Sequence, residues 1–108
     1  MGDFRELDSW RQARTVVCAL LTMSSALSQA AEHAGYAHGL HSVSIGLLDN
    51  MARGYEGDRK SFLRARLGIK RLEELIRQGQ ARGLLKVSES MPLRRELRFV
   101  RLALEDRS

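Results

Sequence analysis

The 108-residue sequence has one cysteine, Cys18, and one proline, Pro92. A single thiol excludes an intrachain disulfide framework, and its place inside the apolar stretch TVVCALLTM predicts a buried, inert side chain. That stretch covers residues 15–23 and is about half the length of the roughly 20 continuous apolar residues a membrane-spanning helix requires. The head, MGDFRELD, is polar and acidic and lacks the basic end and apolar middle of a secretory signal. Glu6 also stands where a myristoylation signal needs serine or threonine. The expectation is a soluble, cytoplasmic chain. Aromatics are scarce at 6%, and no β-branched run alternates with polar residues, which removes a sheet from consideration. The GYEG at residues 54–57 lacks both the lysine and the preceding strand of a phosphate-binding loop.

What is present is helical periodicity broken by short joints. An apolar share of 44% and a charged share of 29% suit one globular domain spanning residues 1–108 with a modest core. The first helix is expected from Asp8, as its cap, to about Ala31, with Trp10, Val17, Leu21 and Ser24 on one face. The joint EHAGYAHG leads to a second helix over Tyr36–Arg53, striped by Tyr36, Leu40, Val43, Leu47 and Met51. Gly54 is assigned the left-handed helix-ending position. A third helix is expected from Asp58, again as cap, to Arg82, with Phe62, Ala65, Ile69, Leu72 and Ile76 facing the core and Gly83 ending it. The fourth is expected from a Ser90 cap to Asp106, with Pro92 tolerated in the first turn and Leu93, Leu97, Val100 and Leu104 inward. Four helices with short joints predict an all-α, antiparallel up-down-up-down four-helix bundle.

FRELDSW near the start and NMARGYEGDRKSFLRARLGIKRLEELIRQGQARGLL further on resemble the four-helix-bundle family of 23S ribosomal RNA intervening-sequence proteins. Phe4, Leu7 and Trp10 match that family's head motif, while Asn50, Ala52 and Gly54 match the end of its second helix. Phe62 with Arg64 to Leu67 falls in the third helix, Glu74-Leu75 lies near a late acidic-apolar pair, and Gly83-Leu84-Leu85 resembles the last turn. The sequence departs from the pattern at Arg53, where glutamate is usual, and at residues 41–44, where HSVS replaces a basic patch. The family is similar in fold to accessory proteins of diversity-generating retroelements, which assemble as homopentamers and work with reverse transcriptase and RNA. The resemblance therefore implies the same fold, a homo-oligomer of five copies, and RNA or DNA as a partner.

Charge is unevenly distributed. Residues 59–101 carry 13 Lys or Arg and four acids, a net +9, whereas the remainder carries five arginines and nine acids, a net −4. On the third helix Lys60, Arg64 and Arg71 form one stripe, and Arg59, Arg66, Lys70 and Arg77 form another about 100° away. On the fourth, Arg94, Arg98 and Arg101 align while Arg95 points elsewhere. Rows of guanidinium groups suit phosphate, because the planar fork grips two oxygens and never loses its charge. Lys60, Arg64, Arg71, Arg94, Arg98 and Arg101 are the expected nucleic-acid contacts. A solvated surface competes with that assignment, because Glu73 and Glu74 stand at pairing distance from Lys70, Arg71 and Arg77. No aromatics interleave the basic rows as in a single-strand stacking platform, and no helix-turn-helix or zinc-finger pattern occurs.

A second apolar seam lies off the core faces. Leu63, Leu67, Phe99 and Leu102 project outward and are expected at an interface between copies of the chain. Ile45, Leu48 and Ala52 are read as widening the intramolecular face of the second helix. His33, His38 and His41 cluster at the first joint without the ligand set of a metal site, so neither a metal nor another cofactor is expected. The acid pairs Glu73-Glu74 and Glu105-Asp106 diverge by about 100° within each pair and read as no catalytic dyad. The combined expectation is a non-enzymatic oligomer that binds nucleic acid. The alternative is an oligomeric scaffold for a protein partner.

Overall fold

The structure, a computed structural model, describes residues 4–107; the first three residues of the acidic head, including Met1 and Gly2 of the myristoylation argument, lie outside them. The described residues form four long helices, α1 (Asp8–Leu27), α2 (Ala34–Tyr55), α3 (Lys60–Ala81) and α4 (Val87–Glu105). Single turns of 3₁₀ helix, Phe4–Glu6 and Ala31–His33, precede α1 and α2. Among the described residues there is no strand, and no helix is long and apolar enough to cross a membrane.

Each helix packs chiefly on two others: α1 on α2 and α4, and α3 on α2 and α4. The centre is aliphatic, with Leu20, Leu40, Leu47, Met51, Ile69, Leu72, Ile76, Leu97 and Leu104 fully shielded from solvent. All five core positions expected on α3 are buried, as are Leu97, Val100 and Leu104 on α4, while Tyr36, Val43, Leu21 and Leu93 are only half-buried. Burial of a side chain of this size contributes about 1.5–3 kcal/mol, so the aliphatic centre supplies most of the driving force for folding.

The helix ends depart from expectation for local reasons. α1 stops at Leu27 rather than Ala31. Ser24 Oγ donates to the Leu21 carbonyl at 3.0 Å and Ser28 Oγ to that of Ser25 at 2.8 Å, bonds that compete with the backbone ladder. Asp8 and Asp58 are not caps: Leu7 and Arg59 occupy those positions without a side-chain bond, and the Asp58 carboxylate instead accepts the Ser61 hydroxyl at 2.9 Å. Nor does Gly54 end α2. The left-handed residue is Gly57 (φ 122°), with Asp58 N–H bonded to Arg53 O and Gly57 N–H to Gly54 O, which are the two bonds of a Schellman motif. Gly83 (φ 72°) ends α3 the same way, through Leu84 N–H to Gly79 O and Gly83 N–H to Gln80 O.

Gly54 serves close approach instead. A Cβ there would lie 2.6 Å from the Phe62 ring, so only glycine lets the start of α3 seat against the end of α2. At the opposite end of the same pair, Gly79 leaves room for Tyr36 and Leu85, and Tyr36 Oη donates to the Leu75 carbonyl at 2.6 Å. α4 begins at Val87, one turn earlier than Ser90, so Pro92 is its sixth residue rather than part of the first turn. Proline supplies no N–H to the Ser88 carbonyl, and Ser88 is exposed, so the interruption falls on the solvent side of the first turns. Ser90 is buried and bridging: its hydroxyl donates to Lys86 O at 2.8 Å and accepts from Gln80 Nε2 at 2.7 Å.

Candidate nucleic-acid interface

The basic half of the chain folds as the paired helices α3 and α4, and two shallow depressions open along that pair. One is lined by Glu73, Met91, Arg94, Arg95, Arg98 and Arg101. The other lies by the α3 start and is lined by Arg59, Lys60, Leu63, Arg66 and Arg107. Spacings of four and seven residues bring Arg94, Arg98 and Arg101 to one side of α4, and Arg95, about 100° round the helix from Arg94, lines the edge of the same depression. Few of them are neutralised. Among the described residues Arg94 reaches only neutral partners, Gln80 Oε1 at 3.5 Å and Met91 Sδ at 3.8 Å. Arg101 is engaged: its Nε stands 3.2 Å from Glu73 Oε1 across the helix pair and its Nη1 4.0 Å from Glu105.

The expected contact residues divide. Arg94, Arg98 and Arg101 meet in one depression, and Lys60 lines the other. Arg64 and Arg71 do not join them. Glu73 marks the flank of α3 that meets α4, and residues two and nine positions earlier are turned about 160–180° from it. Both are exposed, on the far side of α3. Arg95 was expected to point elsewhere, yet it shares the α4 depression. Arg59, Arg66 and Arg107 are further members of the face. The periodicity of α3 displays both of its basic stripes equally, so only a marker of the side meeting α4, such as Glu73 or Gln80, could have chosen between them.

Acid pairing is narrower than charge spacing suggested. Glu73 pairs with Arg101 on α4 rather than with a neighbour on its own helix, and Glu74 pairs with Arg77. No ion pair holds Lys70 or Arg71 among the described contacts.

The apolar seam is exposed as expected at Leu63, Leu67, Phe99 and Leu102, each with about half its surface open. Leu63 forms the apolar part of the basic depression at the α3 start. Ile45 is a correction: it is 46% exposed rather than packed inside the bundle, whereas Leu48 and Ala52 rest on the core as read. Val87 was not singled out, yet it is also exposed. Cys18 is the other correction. It is exposed, beside Arg11, Arg14 and Thr15 on the outer side of α1, because the core side of that helix is taken by Ala13, Val16, Val17 and Leu20.

The histidines do not converge. His38 and His41 line a groove with Ser24, Ser25 and Ser28, while His33 lies 3.6 Å from Glu32. Among the described residues, no three His, Cys, Asp or Glu side chains gather as a metal would need.

Some of the residues that carried the family resemblance, Phe4, Trp10, Gly54 and Phe62, collect at one end of the bundle, while Glu74-Leu75 and Gly83-Leu84-Leu85 lie toward the opposite end of α3. Phe4 meets Trp10 edge-on at 5.0 Å and stacks on Tyr55 at 5.3 Å, and Tyr55 meets Phe62 edge-on at 5.1 Å above Gly54. Their part in this chain is packing, since they knit the head to the α2–α3 joint. Compared with known protein families, curated proteins and solved structures, the chain matches none.

Proposed function

We propose that the protein is a non-enzymatic, cytoplasmic, homo-oligomeric four-helix bundle that binds RNA or DNA through its α3–α4 face. The carrying observation is the set of four arginines, Arg94, Arg95, Arg98 and Arg101, around one depression, with Arg59, Lys60, Arg66 and Arg107 continuing the charge toward the α3 start. A face of packed helices offers no protruding element to enter a groove, no aromatic lines either depression, and the Tyr55 ring at its edge is covered by the Arg107 guanidinium at 5.0 Å. Its chemistry is that of phosphate contact, which is independent of sequence and steeply dependent on salt. The up-down-up-down arrangement is supported by contacts that pair opposite helix ends: Ser9 with Tyr55, Tyr36 with Leu75, and Gln80 with Ser90.

Fluorescence anisotropy with a structured RNA and a duplex DNA tests this. Binding is expected at low salt and should weaken steeply as salt rises. Absence of binding to either at low salt overturns the reading.

Assembly rests on Leu67, Phe99 and Leu102, which are large apolar side chains left half-open in the single chain. The likeness to the intervening-sequence proteins supports five copies. Light scattering tests it: an assembly is expected, Leu67→Glu and Phe99→Glu should break it up, and a native monomer at micromolar concentration refutes it. The same exposed residues favour a second reading, a scaffold that holds a protein partner. Failure to bind nucleic acid by a protein that still assembles would select that reading.

A further inference from the structure

Within the arginine depression of α4 there is one acid, and it comes from the other helix. Glu73 Oε1 stands 3.2 Å from Arg101 Nε, and the two side chains are only 26% and 23% exposed, whereas the Arg77–Glu74 pair nearby is an open surface contact. Partial burial strengthens such a pair relative to an exposed one, because water screens it less. Arg101 also has Glu105 at 4.0 Å, so both acids near it draw on the same guanidinium. Arg95 and Arg98 are exposed and carry no described ion pair, and Arg94 has only neutral partners among the described residues.

We propose that Glu73 is an internal competitor that limits how tightly the α4 face holds a phosphate backbone. It occupies the guanidinium that would otherwise complete the row, so the native protein binds through Arg94, Arg95 and Arg98 while Arg101 remains paired. This rests on the nucleic-acid reading above and concerns regulation of the same face. Removing the acid charge should increase binding, an outcome that damage to the fold does not mimic. Glutamine at position 73 keeps an oxygen that accepts from Arg101 Nε, and Gln80 still reaches Ser90 and Arg94, so the helix pair stays joined.

The test is anisotropy of a short fluorescein-labelled RNA hairpin across a salt series, with circular dichroism melts of each variant. Glu73→Gln is expected to tighten binding about three- to tenfold and to steepen the salt slope by about one ion. Glu89→Gln removes the same charge from an exposed position outside the depression and is expected to change affinity less than twofold. Glu73→Gln combined with Arg101→Gln exchanges the ion pair for two neutral amides and should leave native affinity unchanged. Unchanged or weaker binding by Glu73→Gln overturns the proposal, as does an equal gain from Glu89→Gln. A several-fold loss in the double variant also overturns it, because Arg101 would then already be touching phosphate. If the native protein binds and these patterns fail, only this inference falls; if neither the native protein nor any variant binds at low salt, the nucleic-acid reading falls with it.

Discussion

The two flanks of α3 are built by different chemistry. Toward α2 the contact is steric, with Gly54 under Phe62 at one end and Gly79 under Tyr36 and Leu85 at the other. Toward α4 the outer edge of the contact is polar, with Arg101 reaching Glu73 and Gln80 reaching both Ser90 and Arg94. An interlocked flank tolerates almost no added atom, whereas a flank of long charged side chains can rearrange when a ligand arrives. One helix therefore anchors the bundle on one side and joins the arginine-lined depression on the other.

This contrast breaks most visibly at the glycines. Gly54→Ala puts a Cβ within 2.6–2.8 Å of three Phe62 ring carbons. The ring is held edge-on to Tyr55 and cannot retreat freely. The expected loss is about 1–3 kcal/mol in urea denaturation, although alanine favours helix intrinsically. Smaller effects belong to the polar flank. Arg98→Gln should weaken hairpin binding about three- to tenfold and reduce the salt slope by about one, while Arg64→Gln on the far side of α3 changes it less than twofold. Equal losses would erase the distinction between the two basic stripes.

Tyr36 sharpens the steric side. Its phenol has a pKa raised above 10.0, because burial disfavours the charged form and outweighs the lowering by Arg82. Above about pH 10 the unfolded chain releases this proton while the folded one retains it, so stability falls as pH rises toward the folded-state value. Tyr36→Phe should flatten that alkaline limb in thermal melts. At neutral pH it should cost about 1 kcal/mol for the lost bond to Leu75 O. The smallest effect is a gain. Gly68→Ala enters open space, with nothing within 4 Å of the new Cβ, and should stabilise by about 0.5–1 kcal/mol.

Helix count and core positions were legible because the apolar period of α3 and α4 is strong and uninterrupted. Helix ends were not, because they depend on competition among nearby donors. Two glycines three residues apart, Gly54 and Gly57, offered the same left-handed option, and only the ring of Phe62, eight positions beyond Gly54, shows why the first stays helical. Ser90 looks like a cap from spacing, yet its hydroxyl answers a glutamine ten residues away. The basic rows were visible as rows. Which row of α3 meets α4 is a rotation about the helix axis, and that rotation is set by packing on α2 and α4 together.

Cys18 was expected in the core and lies outside it, on a helix that contributes nothing to the arginine depressions. One accessible thiol in the whole chain means that a maleimide dye attaches once, at one known position, outside both arginine depressions. Dyes per particle then count the copies in an assembly, and energy transfer between them measures how the α1 helices are arranged around it.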